Sequence, residues 1–568
     1  MACTQPRISG FSTSPKCAAY VLASLLAGIS GCGGRPQPPR SASQASEAEG
    51  LCPARASAGT RLPGVEAEHL QLAYWLARSR AQGEDPQQPL LRREEIAAYN
   101  AARAAKFPER AAQGRIDFSA PIDWERLRPE IEERLDALRQ AFEGGEVFEA
   151  DGSRISRQSI ERLHFDESYR LAKPELRISL DHLPLFCAPR AESFYRSDLD
   201  RAFDRNRCST LRPQEPVQIL ARWPGGMWLV RSQQTLGFVA SNAALSPPLS
   251  EGQLKLWMAG SGRHAQGELR LSADQRAPSV LVPRATLLWS PKAEPDRVLY
   301  ASSRGLHLSQ RLSGTQVQPI ERDLSRADFL EEAFAYLDTP YGWGGMGGGK
   351  DCSQFLMEVF ESFGLWLPRN SAQQAQAGVE VIEVPAEEDA QARLRRLDEA
   401  QRAGIVLLHF PGHIMLYLGR DARGVPMALH SLAEYARPCK SEGATSSSDA
   451  TQETLVRFGR VGVSTLSLGE GSSRRSFLER LTHLALFHSL ETRAETKKDE
   501  IPSSTRGGPK QKASAPSLPG ELSESPPGAA NCSAGEHQVF VAPAYPRQKQ
   551  ALGVVFYGSK EWRAPKVS

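Results

Sequence analysis

Cys352 stands in Lys350-Asp351-Cys352-Ser353, directly after Gly347-Gly348-Gly349 and before apolar residues at 355, 356, 359, 360 and 363. That spacing predicts one buried face of a helix, and Gly364 falls where a helix stop belongs. Cys352 is thereby placed at a helix N-terminus, where first-turn amides and the macrodipole favour a thiolate. The glycines permit close approach of backbone or substrate. A thiol nucleophile needs a base within hydrogen-bond reach, and the base needs an orienting group. Two histidines bound predicted strands: His413 opens His413-Ile414-Met415-Leu416-Tyr417-Leu418, and His430 follows Pro426-Met427-Ala428-Leu429. His413 is the expected base and His430 the group that fixes its tautomer. His409, in Leu408-His409-Phe410-Pro411-Gly412, competes for the base role.

The elements that must position these residues belong to a long chain. With 568 residues it exceeds one ordinary core. Hydrophobic residues make up 40% and charged residues 24%, the net charge is +3, and no dense basic run occurs. This balance excludes a nucleic-acid partner as the organising function. The nine cysteines include no CxxC or CxxxC pair, so a zinc site is not expected; nucleophilic chemistry at Cys352 needs no metal or cofactor, and none is implied. Cys187 and Cys208 have two readings, a disulfide or separate thiols.

Arg7 and Lys16 precede the apolar run from Ala18 to Ala27, which ends in Ile29-Ser30-Gly31-Cys32. The run has the length of a secretory signal core and is short for a spanning helix. Its end resembles a bacterial lipobox, which implies lipidation at Cys32. Residues 1–32 are therefore expected to be a lipoprotein signal peptide, and the Gly/Pro/Ser-rich residues 33–60 a flexible tether. Residues 61–175 are helix-prone, with helical apolar spacing over 65–76 and 131–142 and a stop at Gly144-Gly145. Alternating segments then appear, among them Val217-Gln218-Ile219-Leu220, Met227-Trp228-Leu229-Val230-Arg231 and Leu236-Gly237-Phe238-Val239. They read as a small antiparallel barrel over 176–247, and a second is expected over 248–318. Helices are expected over 322–345, 351–364, 384–403 and 476–487, with strands between. Residues 441–451 read as a Ser/Thr-rich loop, and 491–568 as a mostly disordered tail.

Four separated segments carry a resemblance. Tyr341-Gly342-Trp343-Gly344-Gly345, Asp351-Cys352-Ser353, Leu367-Pro368-Arg369-Asn370-Ser371 and Gly412-His413-Ile414-Met415-Leu416-Tyr417-Leu418-Gly419 together resemble the NlpC family of cysteine peptidases over about 320–490. The segment 213–240 resembles a bacterial SH3-like domain. The resemblance implies a multidomain α+β protein: an N-terminal helical segment, one or two SH3-like β-barrels, and a papain-like catalytic domain (319–490) with a central antiparallel sheet. It implies hydrolysis of peptidoglycan stem peptides between γ-D-Glu and a diamino acid. For members with upstream barrels, it further implies a free N-terminal L-Ala in the substrate. In those terms Cys352 attacks, His413 is base then acid, and His430 orients His413. Tyr341 helps hold the oxyanion, Asp351 and Ser353 hold the L-Ala amine, and Ser371 contacts substrate. Asn370 departs from the aspartate common before that serine. Tyr195 is a candidate barrel contribution to the amine site. Asp351 also has a structural alternative as an N-cap, and Tyr341 as a packing residue.

Partners implied are peptidoglycan peptides and, through the lipid anchor, a membrane. Gly33 after Cys32 points to the outer membrane facing the periplasm if the host is Gram-negative. Two rival readings are a non-catalytic peptidoglycan-binding lipoprotein, and an acyltransferase or amidase on the same fold.

Overall fold

The computed structural model describes residues 53–106, 116–274, 276–439 and 453–489. Cys32, the signal segment, the 441–451 loop and the 491–568 tail lie outside the described residues. Among the described residues no helix is long and apolar enough to cross a membrane.

The site rests on a seven-stranded sheet. Its spatial order is Arg55–Ser57, Glu453–Thr465, Pro426–Pro438, His413–Arg420, Ile405–Phe410, His483–Phe487, Glu380–Glu383. All pairings are antiparallel except the first, where Arg55 lies opposite Leu455 in parallel register. The strand Ile405–Phe410 is buried along its whole length, which is why it opens with the apolar run Ile405-Val406-Leu407-Leu408 rather than an alternation. Against the sheet packs the helix Cys352–Glu361. Phe355, Leu356, Val359, Phe360 and Phe363, the face marked by the sequence spacing, are fully buried there.

A six-stranded sheet occupies 170–240, in the order Arg170–Ile178, Pro216–Trp223, Met227–Ser232, Leu236–Ala240, Leu183–Phe186, Arg207–Leu211. One core lies on Leu185, Ile219, Val230 and Val239. Another lies on Leu220, Trp223, Leu229 and Phe238, where the helix Trp124–Glu143 docks. A five-stranded sheet follows, built from strands between Ser261 and Pro319.

Three local expectations are corrected. The apolar run at 476–487 is a short helix, Phe477–Arg480, followed by the strand His483–Phe487. A short apolar run is ambiguous by periodicity, and here two neighbouring strands supply its backbone partners. Arg55–Ser57, inside the expected tether, is an edge strand, because the long strand Glu453–Thr465 offers it unpaired backbone groups. The helices of 61–175 divide between two cores. Trp75, Ile96 and Tyr99 pack with the nucleophile helix, whereas Leu127, Ile131, Leu135 and Leu138 pack on the six-stranded sheet. Asn100 fastens the first group by donating to the Gly364 carbonyl at 2.8 Å, just past the nucleophile helix.

The six- and five-stranded sheets are joined to the nucleophile helix by one buried cation. The Arg212 guanidinium donates to Glu215 (2.6 Å), to the Ala285 carbonyl (2.7 Å) and to Glu361 (2.7 Å). Its side chain is 1% exposed. Removing one member of such a network leaves buried carboxylates uncompensated, at a cost of about 3–5 kcal/mol. Arg212→Met is therefore expected to lower the urea midpoint, followed by tryptophan fluorescence. An unchanged midpoint would contradict this role for the network.

Candidate active site

Asp351 starts the nucleophile helix: its carboxylate accepts from the Gln354 amide at 2.8 Å, the geometry of an N-cap. Cys352 follows as the first helical residue and is buried. The amides of Ile414 and Ser353 point at its sulfur. Because Ile414 follows His413, that contact brings the start of the strand His413–Arg420 to the start of the helix.

The two histidines meet through strand register. Leu416 pairs with Leu429, so His430 falls opposite Met415, and His413 lies diagonally from it on the same face. His413 Nε2 and His430 Nδ1 are 2.6 Å apart. The next strand repeats the device: His430 pairs with Gly462, and Ser464, two residues on, places its Oγ 2.9 Å from His430 Nε2. A relay of His413, His430 and Ser464 thus crosses three strands. With Ser464 Oγ accepting from His430 Nε2–H, and His430 Nδ1 accepting from His413 Nε2–H, His413 Nδ1 keeps its lone pair for the thiol. This is the tautomer a general base requires.

The electrostatics differ from the sequence expectation in one respect. Burial, and then the Asp351 carboxylate, push the Cys352 thiol up to about 12; the Ile414 amide, Arg369 and the Ser353 amide offset only part of that. The helix N-terminus alone does not make a resting thiolate. Burial also holds His413 well below its ordinary value, aided by His430 and Arg480, and lowers His430 to about 3. The resting site is a neutral thiol beside neutral imidazoles, and the charged pair forms only as His413 takes the proton.

Asp351 is saturated. Arg369 grips it with two bonds, Nη2 to Oδ2 at 2.6 Å and Nη1 to Oδ1 at 3.1 Å. The Gly344 amide (3.0 Å) and the Ser353 hydroxyl (2.9 Å) also donate to it. With the Gln354 amide these are five donors on one carboxylate, which leaves no lone pair for a substrate amine. Ser353 is drawn into the same knot, accepting from Arg369 Nη1 at 2.9 Å. Asp351 thereby fills the structural alternative of an N-cap and, with Ser353, positions the helix; their role as amine ligands is what the resemblance implies. Tyr341 lies within the electrostatic field of Cys352, and burial holds its hydroxyl protonated, well above the ordinary tyrosine value. Ser371 opens the helix Ser371–Ala375, capped by Asn370 accepting from the Gln373 amide at 2.8 Å. Asn caps as well as Asp, so the departure at 370 preserves the local structure and removes only the charge. His409 turns away from the relay to Thr482, at 3.3 Å. Tyr195 is buried and paired through its backbone with Phe148. Cys187 and Cys208 are joined as a disulfide.

The wall opposite the helix comes from the six-stranded sheet. Thr210 Oγ1 donates to the Gly344 carbonyl at 2.8 Å. Arg369 Nε donates to Ser209 Oγ at 2.8 Å. Gly344 and Gly345 make this approach possible. Both have positive φ, and a Cβ on either would meet Arg207 or Thr210 within 3 Å. Phe203 packs against Trp343, ring centroids 5.4 Å apart. Sequence reasoning assigned no role to Arg369, Ser464, Phe203 or Arg205. Arg369 was visible inside its motif, whereas the other three carry no local signal.

The site thus has a thiol at a buried helix start and a histidine relay on the antiparallel sheet beside it. The sequence model of the NlpC/P60 family matches residues 338–438. The chain is 40% identical over 52 residues to a gamma-D-glutamyl-L-lysine dipeptidyl-peptidase of Bacillus subtilis (strain 168). That match covers 9% of this chain and 18% of the relative, so the chain spans about a fifth of the curated relative it matches. An NlpC/P60 endopeptidase of Photobacterium damselae subsp. piscicida shares the fold, with a TM-score of 0.51 and 16% identity, covering 62% of this chain and 84% of that one. An NlpC/P60 family protein of Bacillus cereus ATCC 10987 aligns with a TM-score of 0.37 and 14% identity, over 56% of this chain and 100% of that one.

Two outcomes follow from the neutral resting state. Iodoacetamide should alkylate Cys352 at pH 7 more slowly than a free cysteine peptide, as read by peptide mapping; fast alkylation at pH 6 would mean a resting ion pair. The buried histidines bind protons more readily unfolded than folded. Stability should therefore fall as pH drops below about 6.5, by about 2 kcal/mol per histidine at pH 5. Urea midpoints at pH 7 and 5 check this, and a pH-independent midpoint would contradict it.

Proposed function

We propose that this chain is a cell-wall peptidase that hydrolyses peptidoglycan stem peptides at the bond between γ-D-Glu and a diamino acid. The observation that carries this reading is the His413–His430–Ser464 relay ending beside Cys352. It fixes the tautomer of His413 and leaves its Nδ1 lone pair free, one residue before the Ile414 amide that meets the Cys352 sulfur. His413 takes the thiol proton as sulfur attacks the scissile carbonyl carbon. The Cys352 amide and the Tyr341 hydroxyl donate to the oxyanion. The C–N bond breaks, His413 returns the proton to the leaving amine, and a γ-glutamyl thioester remains on Cys352. Water, deprotonated by His413, attacks the thioester carbonyl; the C–S bond breaks, the acid leaves, and His413 returns the proton to the Cys352 sulfur.

The likeness to a gamma-D-glutamyl-L-lysine dipeptidyl-peptidase of Bacillus subtilis supports the choice of bond. The requirement for a free N-terminal L-Ala rests on the resemblance alone, since the Asp351 carboxylate that would serve it is occupied by Arg369. Anchorage in the cell envelope through a lipid on Cys32 belongs to the same proposal and rests on the lipobox-like sequence.

The test is to incubate the full chain with L-Ala-γ-D-Glu-meso-diaminopimelate and its N-acetylated copy, and to resolve products by mass spectrometry. Release of L-Ala-γ-D-Glu, lost in Cys352→Ala, is the expected outcome. Equal cleavage of the acetylated copy would retain the peptidase and remove the amine requirement. No cleavage by folded protein would overturn the proposal. Ser464→Ala should lower kcat roughly tenfold, about 1.4 kcal/mol, with KM little changed. An unaltered kcat would remove Ser464 from the relay.

A further inference from the structure

The loop before the strand Arg207–Leu211 is held more firmly than a surface loop needs to be. The Cys187–Cys208 disulfide closes it. Asn206 Nδ2 donates to the carbonyls of Arg190 (2.9 Å) and Glu192 (2.8 Å), and Asn206 Oδ1 accepts from the Ala188 amide at 2.9 Å. Asp204 accepts from the Asn206 amide at 2.9 Å and from the Ser193 hydroxyl at 2.8 Å. The Arg205 amide itself donates to the Phe194 carbonyl at 2.8 Å.

This loop presents Arg205 to the site. Its guanidinium lies 4.5 Å from the centre of the Trp343 ring and 5.5 Å from that of Phe203. It feels the Tyr341 hydroxyl, which in turn feels Cys352. Three arginines nearby are matched: Arg369 by Asp351, Arg457 by Asp200 and Glu434, Arg190 by Glu149. Arg205 and Arg207 have no ion pair among the described residues; Arg207 lies over Phe186, 5.1 Å from the ring centre, whereas Arg205 lies over Trp343 of the site. Among the described residues no carboxylate lies within ion-pair distance of it, and its buried Nε has no hydrogen-bond partner. The nearest acidic influences are Asp198 and Asp200, and Asp200 is committed to Arg457 and Arg55. Arg196 adds positive charge. Burial lowers Arg205 only to about 10, so it is cationic at neutral pH. A cation partly withdrawn from water with no counter-ion is costly, and aromatic stacking returns only part of that.

We propose that Arg205 is a specificity residue that binds a free carboxylate on the acyl-side residue of the substrate. This rests on the γ-glutamyl reading above. A γ-linked glutamate keeps its α-carboxylate, on the same residue whose carbonyl is attacked. The loop leans on the Tyr341–Trp343 side, together with Ser209 and Thr210, against the Asp351 end of the site that the resemblance gives to the acyl part. A stacked guanidinium fork matches a carboxylate with two parallel bonds. A neutral amide there would leave that cation unmatched.

The experiment uses three peptides with the full chain: L-Ala-γ-D-Glu-meso-diaminopimelate, its copy amidated at the D-Glu α-carboxyl, and its copy amidated on diaminopimelate. Wild type is expected to favour the first over the second by at least ~10-fold in kcat/KM. In Arg205→Gln that ratio should fall to within about twofold, and Arg205→Lys should lie between. The ratio is taken within one sample, so a smaller folded fraction cancels. A wild-type ratio near unity, or one unchanged in Arg205→Gln, overturns the proposal while leaving the γ-glutamyl reading standing. Discrimination that Arg205→Gln removes only for the diaminopimelate amide also overturns it, by putting Arg205 on the leaving side. No cleavage of any peptide sinks the γ-glutamyl reading and this inference with it.

Discussion

The bidentate pair between Asp351 and Arg369 is the interaction on which the rest of the site depends. It joins three neighbouring segments, the Gly344 turn, the start of the nucleophile helix and the stretch at Arg369, to Ser209, 160 residues before Arg369. Asp351 caps the nucleophile helix and holds the Gly344 amide. Arg369 reaches across to Ser353 and to Ser209 of the neighbouring sheet. Both side chains are about nine-tenths buried. A pair so placed offsets its desolvation only when its remaining donors and acceptors are filled, and here the Gly344 amide, the Gln354 amide and two serine hydroxyls fill them. The pair therefore fixes where the helix begins, and with it the position of the sulfur.

Its second effect is electrostatic. An unpaired carboxylate next to Cys352 would oppose thiolate formation further; the guanidinium cancels much of that field. What remains is a thiol that burial keeps protonated and imidazoles that burial keeps neutral. Such a site stores no charge at rest. In the proposed mechanism, proton transfer from Cys352 to His413 creates both charges together; Ile414 and Ser353 amides meet the sulfur and the His430–Ser464 relay meets His413. Substrate binding, which displaces water from the same space, strengthens those contacts.

How much of this was legible in the sequence depends on how local each signal is. The nucleophile helix was legible because a glycine run, a capping Asp and an apolar face lie within 18 residues, 347–364. His413 and His430 were legible from motif and chain order. Ser464 was not: it reaches the relay only through the register of the strand Glu453–Thr465 against Pro426–Pro438, and register is a tertiary property. Phe203 and Arg205 sit about 140 residues before the site and are delivered by a disulfide-closed loop that has no periodicity. The amine-binding expectation for Asp351 came from the resemblance, whereas its positioning role is read from the geometry of Arg369. The tail of the domain was misread at 476–487 because neighbouring strands, not its own pattern, decide its state.

The central claim is that Cys352, served by His413, carries the acyl group. Mixing the protein with L-Ala-γ-D-Glu-meso-diaminopimelate, quenching in acid during turnover and mapping peptides by mass spectrometry tests it most directly. The account predicts an L-Ala-γ-D-Glu thioester on Cys352 in wild type and none in His413→Gln. Turnover with no adduct on Cys352, or an adduct that forms equally fast without His413, would contradict it.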